Sequence, residues 1–327
     1  MGFRIRSSTW RFRSRGSNRI KDRLSFDRSG VGGSIHPASI QRKDDIVMEK
    51  SIKKYFPIFA LPTLVAFTIG FIIPFVMGIY LSFCEFTTVT DAKFVGLKNY
   101  ARVFTDNTFG HALWYTVLFT IVSVLAINIL AFVVAMLLTK GIKGTNTFRT
   151  VFFMPNLIGG IVLGYIWQII LNGVLAHWGR TLTYSSKYGF WGLVVLMCWQ
   201  QIGYMMIIYV AGIQNIPGDL IEAAKIDGAT PSQILKNVTI PMVMPSITIC
   251  SFLTLTNSFK LFDQNLALTA GEPANSSELL ALNIFNTFYG RNGWEGVGQA
   301  KAVVFFVIVA VIAITQNKIT RSKEVQQ

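Results

Sequence analysis

Residue types that do covalent chemistry are few in this chain and badly placed for it. The three histidines, His36, His111 and His177, are scattered, and neither an HExxH run nor a nucleophile elbow occurs. Cys84, Cys198 and Cys250 are an odd set without metal-ligand spacing. They lie in or beside apolar segments, where a thiol serves as a small packing group. No G-x-x-x-x-G-K-[ST] loop is present: Gly141-Ile142-Lys143-Gly144-Thr145 has the wrong spacing and no strand before it. The sequence therefore predicts no metal site, no catalytic constellation and no cofactor bound by this chain; any energy from ATP must come through a partner.

What remains is non-covalent chemistry in two places. Gln200, Gln201, Tyr204 and Asn257 interrupt apolar runs. Amides hydrogen-bond hydroxyls and aromatic rings cover apolar ring faces, so such a set suits a hydroxyl-rich solute. Amides inside a membrane equally bond helix to helix, and both uses stay open for each residue.

The second place is the punctuated segment 215–245. Pro217-Gly218 ends one helix, and Asp219 is expected to cap the next, with Glu222 completing a capping box. Ala223, Ala224 and Lys225 propagate it, and Gly228 supplies the left-handed residue that stops it. Thr230, Pro231 and Gln233 open a second short helix with its own capping box. Pro241 and Pro245 then break and restart the chain. Two short helices joined by a glycine fit either a partner's groove or an elbow on a membrane surface.

The elements that hold these residues follow from composition. With 52% hydrophobic and 14% charged residues, the chain is too apolar for an ordinary soluble domain. Uncharged stretches run over Tyr55–Cys84, Ala112–Thr139, Thr150–Gly179, Tyr188–Gly218, Asn237–Phe259 and Ala302–Asn317. A bilayer core needs roughly 20 apolar residues per helix. Five stretches exceed this, and the sixth reaches it if the helix starts near Gly296 and Lys301 snorkels outward. An all-α membrane protein of six transmembrane helices is expected, with the two short helices between the fourth and fifth. Helix rise puts Asn257 roughly 22 Å, Gln201 roughly 20 Å and Tyr204 roughly 15 Å above the inner face. Lys260 and Asp263, spaced i and i+3, are expected to pair. Asn128 and Asn156 read as packing or kink-support residues.

The net charge of +14 is distributed by topology rather than gathered for nucleic acid. Eleven of the 30 basic residues precede Met48, in a Ser-, Gly- and Arg-rich tail (1–47) expected to be disordered; Met48-Glu49-Lys50-Ser51 reads as a natural start that would leave the tail untranslated, with the transmembrane body at 48–327. Lys50, Lys53 and Lys54, then Lys140, Lys143 and Arg149, then Lys318, Arg321 and Lys323 flank alternate spans on one side. Positive flanks stay cytoplasmic, so both termini are expected on the cytoplasmic side of the plasma membrane, against its lipid.

Glu222-Ala223-Ala224, followed by Asp227-Gly228-Ala229, Ile240-Pro241 and Pro245, resembles the EAA loop of ABC-importer permeases. With Ala211 to Pro217 before it, the pattern is similar to the carbohydrate-uptake branch of maltose-type permeases. Arg149 to Pro155, Trp167, Leu268-Thr269 and Gly271-Glu272-Pro273 support the likeness, which covers about residues 50 to 322.

The resemblance implies the type I importer permease fold, with Glu222, Ala223, Ala224, Asp227 and Gly228 coupling to an ATPase. It also implies sugar contacts at Gln201, Tyr204, Asn257 and Ser258. The implied partners are a second homologous permease, a dimeric cytoplasmic ATPase carrying ATP and Mg, and an extracytoplasmic solute-binding protein. The chain departs from the family pattern at Glu272, Lys301 and Gly173–Ala176. No cluster of buried cations or acids points to an anionic or polycationic solute, which favours a sugar or polyol. A glycerol phosphoester permease and a secondary transporter are the other readings.

Overall fold

The computed structural model describes residues 55–58 and 60–322. The basic tail, the Met48 start, Lys50, Lys53, Lys54 and Lys323 lie outside the described residues. The chain divides at Thr68–Ile69. In the first part the described residues are helical, and Thr68 Oγ1 donates to Leu64 O at 2.8 Å.

Among the described residues, four helices are long and apolar enough to cross a membrane: α1 (Ala60–Leu81), α3 (Asn107–Leu138), α6 (Ser186–Gln214) and α12 (Glu295–Arg321). Between α1 and α3 lie a two-residue antiparallel ladder, β1 (Cys84–Glu85) with β2 (Lys93–Phe94), and the short helix α2 (Lys98–Thr105). The remaining apolar stretches are broken. Helix α4 (Thr145–Leu157) meets α5 (Gly160–Ala176) at 102°, and α8 (Pro231–Met242) meets α9 (Met244–Phe259) at 68°. Against the six expected spans stand four continuous helices and two bent pairs, making six if each bent pair is one span. Pro155 lacks a backbone donor and Ile158 and Gly159 take extended backbone, which ends α4. Val243, at φ −88° and ψ 0°, makes the other corner just before Pro245. Between α6 and α8 lies α7 (Gly218–Ile226), and after α9 come α10 (Asp263–Leu268) and α11 (Leu280–Gly290).

The main core is built where α3, α6 and α9 pack together, with α5 and α10 alongside. Asn128 on α3 ties three of these helices. Its Oδ1 accepts from Tyr209 Oη at 2.7 Å, and its Nδ2 donates to Thr254 Oγ1 at 2.9 Å. Of the two expected uses, packing and kink support, it is the packing one: a half-buried amide that bonds helix to helix. Helix α4 crosses α6 at Gly203 so closely that a Cβ there would lie 1.7 Å from the Phe152 carbonyl oxygen. Cys84 and Cys250 are buried and Cys198 half-buried, and all three are free thiols.

Helices α3, α6 and α12 begin at one end of this second part. Tyr115 Oη reaches Ser186 O at 3.2 Å, and Lys301 Nζ reaches Asp106 Oδ2 at 2.8 Å. That end is capped by α2, the ladder and α11; α6 runs to the other end and continues into α7. Lys301 does not snorkel. Its side chain is wholly enclosed, beside the small apolar cluster of Val103, Phe109, Ala112, Leu280, Val297 and Ala300. Its partners, described below, explain how an ammonium is held there.

Candidate functional site

Helix α9 stops at Phe259 and α10 starts at Asp263. The turn between them opens a cavity of about 250 Å³ lined by Met197, Gln201, Asn257, Lys260, Leu261, Phe262, Asp263 and Gln264. The structure brings Gln201 and Asn257 together across α6 and α9, with Asn257 Nδ2 donating to Gln201 Oε1 at 3.5 Å. The depth expected from helix rise thus places this pair on one wall. Gln264, not singled out from the sequence, donates through Nε2 to Gln200 Oε1 at 2.8 Å; Gln200 in turn donates to Ile158 O at 3.4 Å. A row of amides therefore runs from the α4–α5 corner to the cavity.

Tyr204 and Ser258 are placed elsewhere. Tyr204 is half-buried with its ring 6.3 Å from that of Phe153. Ser258 is fully buried, its hydroxyl donating to Thr254 O at 2.7 Å. Neither lines the cavity. Among the described residues Lys260 and Asp263 form no ion pair, contrary to the i, i+3 expectation, because the helix that would align them is interrupted between them. Both are exposed and both line the cavity, so its wall carries one charge of each sign.

The second candidate region is the elbow of α7 and α8. Helix α7 starts two residues earlier than expected, at Gly218, with Pro217 before it and no side-chain cap. Asp219 therefore sits inside the first turn, where its charge favours the helix dipole, and the Asp219–Glu222 box does not form. The stop is as read from the sequence. Gly228 has φ +77°, Ala229 N donates to Ala224 O at 2.9 Å, and Gly228 N donates to Lys225 O at 3.0 Å. This is a Schellman motif. The second box also forms: Thr230 N donates to Gln233 Oε1 at 2.7 Å, and Gln233 N to Thr230 Oγ1 at 3.4 Å. Glu222, Ala223 and Asp227 are exposed and Ala224 half-buried. Ile226 is 86% exposed, a large aliphatic side chain left in the open.

A third cluster, at the capped end, was not foreseen in the sequence. Lys301 Nζ donates to Asp106 Oδ2, Asn283 Oδ1 and Thr287 Oγ1, each at 2.8 Å. Arg291 stands 3.6 Å from the same Asp106 oxygen, on the open side. Burial alone would raise the Asp106 carboxyl, but hydrogen bonds from Lys301 and Thr108 outweigh it and hold it below the usual carboxylate range. Among the described residues no group of three metal-ligating side chains occurs.

Residues 127–323 match the family described as binding-protein-dependent transport system inner membrane component. The chain is 43% identical over 280 residues to a probable starch degradation products transport system permease protein, AmyD, of Thermoanaerobacterium thermosulfurigenes, covering 83% of this chain and 96% of that one. It is 29% identical to the trehalose/maltose transport system permease protein MalF of Thermococcus litoralis, over 80% of this chain and 92% of the other. The sn-glycerol-3-phosphate transport system permease protein UgpA of Brucella abortus is 30% identical, over 83% and 96%. In fold the chain matches the crystal structure of a bacterial ABC transporter that imports the acidic polysaccharide alginate. The TM-score is 0.71 at 20% identity, covering 84% of this chain and 98% of the other.

Proposed function

Because this chain belongs to the family of binding-protein-dependent transport system inner membrane components, we propose that it forms half of the membrane pathway of an ATP-driven sugar importer. The other half would be a second homologous permease. A dimeric cytoplasmic ATPase would carry ATP and Mg, and an extracytoplasmic binding protein would deliver a mono- or oligosaccharide. The chain itself is a transport subunit of the inner membrane and not an enzyme. The proposed orientation has the elbow and both termini in the cytoplasm and the α2–α11 end outside, as the basic flanks favour.

The observation that carries the reading is the elbow. Its two helices are finished by backbone and capping bonds of their own, yet Glu222, Ala223, Asp227 and Ile226 stay exposed. A helix shaped this firmly with an apolar side chain in the open fits a groove on a partner. The proposed coupling residues are Glu222, Ala223, Ala224, Asp227 and Gly228.

The solute would pass the cavity beside Gln201 and Asn257, whose amides suit hydroxyl groups. Tyr204 and Ser258 would serve the pathway only from behind that wall. The glycerol phosphoester reading draws on Lys260, an unpaired cation in the cavity. Asp263 on the same wall offsets it, which favours a neutral solute.

The test uses the assembled transporter in proteoliposomes. Glu222→Lys or Gly228→Pro is expected to leave the chain inserted, to reduce ATPase co-purification and to abolish solute-stimulated hydrolysis. Parental ATPase recovery with normal stimulation would show that the elbow does not couple the subunits. Uptake of labelled maltotriose against labelled glycerol 3-phosphate separates the two solute classes.

A further inference from the structure

Lys301 lies about two turns into α12, where its ammonium meets no solvent. An ammonium has three protons to place, and a buried one left unmatched is costly. Here all three are matched, by Asp106 at the start of α3 and by Asn283 and Thr287 on α11. Asn283 and Thr287 are four residues apart and so share one face of α11. The same face is committed further along: Asn283 Nδ2 donates to Glu278 Oε2 at 2.7 Å, and Asn286 Nδ2 to Glu278 Oε1 at 2.6 Å. Helix α11 is thereby fixed in rotation as well as in place.

That rotation has a consequence on the opposite side of α11. Phe285, two residues after Asn283, points away from Lys301 and sets its ring 5.1 Å from the ring of Phe262. Phe262 is one of the residues that line the cavity. A connected path runs from the Lys301 ammonium through Asn283 and Thr287, across α11 to Phe285, and on to the aromatic edge of the cavity. Only the last residue of the path touches the cavity.

We infer that Lys301 is a positioning residue for the solute: by fixing the rotation of α11 it holds Phe262 as the aromatic wall of the cavity. The inference rests on the reading of that cavity as the solute path. Its alternative is that Lys301 holds the capped end together and leaves the cavity indifferent.

The experiment compares variants of the assembled transporter in proteoliposomes, with labelled maltotriose as the probe. Phe262→Ala removes the wall and is expected to raise KM about fivefold, the worth of one ring contact, with Vmax largely kept. Lys301→Met combined with Asp106→Asn removes both charges and strands neither. It is expected to raise KM by a similar factor. In a background lacking Cys84, Cys198 and Cys250, it should also speed maleimide labelling of Ala281→Cys, a half-buried α11 position, severalfold. If Phe262→Ala raises KM but the double variant changes neither KM nor labelling, Lys301 is structural only and the inference falls. If Phe262→Ala leaves KM at the parental value, the solute-path reading falls, and this role for Lys301 falls with it whatever the labelling does. Should the double variant fail to assemble, Thr287→Val keeps the ion pair and removes one bond. It is expected to raise KM about twofold and quicken labelling, and parental values for both would overturn the inference.

Discussion

The two ends of the molecule are held together in opposite ways. At the elbow end, α7 and α8 are shaped by bonds between residues no more than five apart, and Glu222, Lys225, Ile226 and Asp227 are left outside. At the capped end the decisive bonds join residues far apart in the chain. Lys301 reaches Asp106 across 195 residues, and Leu280 N reaches Thr116 Oγ1 across 164. At the capped end the central ammonium, Lys301, is enclosed and all its protons are matched. The elbow has a fixed form but an unmatched surface, which is what a part made for docking requires. Damage at the two ends should therefore show in different measurements.

The sharpest way to break this contrast is Lys301→Met alone. It leaves the Asp106 carboxylate, 8% exposed, with its ammonium partner gone and only Arg291 nearby. A loss of about 3–5 kcal/mol is expected, read as a lowered unfolding temperature of the purified chain, with Asp106→Asn in the same chain restoring most of it. An unchanged transition would mean that the capped end is not held by its charges.

Gly228→Ala should cost about 1 kcal/mol, because a Cβ is penalised at φ +77°. Its larger effect is expected on ATPase co-purification, and a variant that lost stability yet kept full coupling would invert the comparison. Between the two ends, Tyr209→Phe removes one of the bonds at Asn128 and should cost about 0.6 kcal/mol, measured by the same unfolding assay.

The smallest expected effect is that of pH on the cap. Asp106 is held below its ordinary value in the folded chain, so its contribution is fully present above the unfolded carboxyl value of about 3.9 and fades only as pH falls through the folded one. Hydrogen exchange at α11, corrected for intrinsic rates, should show unchanged protection from pH 5 to 7. Loss of protection within that window would place the carboxylate outside the ion pair.

What could be read from the sequence follows the same division. Gly228 and the Thr230–Gln233 box were legible because each depends on residues a few positions away. Two local readings failed: Asp219 as a cap, because the helix starts two residues earlier, and the Lys260–Asp263 pair, because the helix stops between them. Lys301 was expected to reach for water because its partners lie 14, 18 and 195 positions off, and no local pattern records them. Depth along a helix brought Gln201 and Asn257 to one level, and they do meet. Depth does not specify which side of the helix a residue faces, and so Tyr204 and Ser258 turned out to point elsewhere. Apolar length marked the six stretches, and Pro241 and Pro245 marked the break near Val243; neither showed the corner at Ile158–Gly159, since an apolar run reads the same whether the helix within it is straight or bent.

The crossing of α4 over α6 sets a rule for how this sequence can drift. At Gly203 the space a methyl group would need is already filled by the Phe152 carbonyl, a backbone atom that no compensating side-chain change can trim. Gly218 has nothing within 4 Å of where its Cβ would stand. In a saturation library selected for transport, position 218 should accept a broad set of residues while position 203 returns glycine alone. The immobile point of the protein's history would then be a contact between two backbones, away from any residue that meets solute or partner.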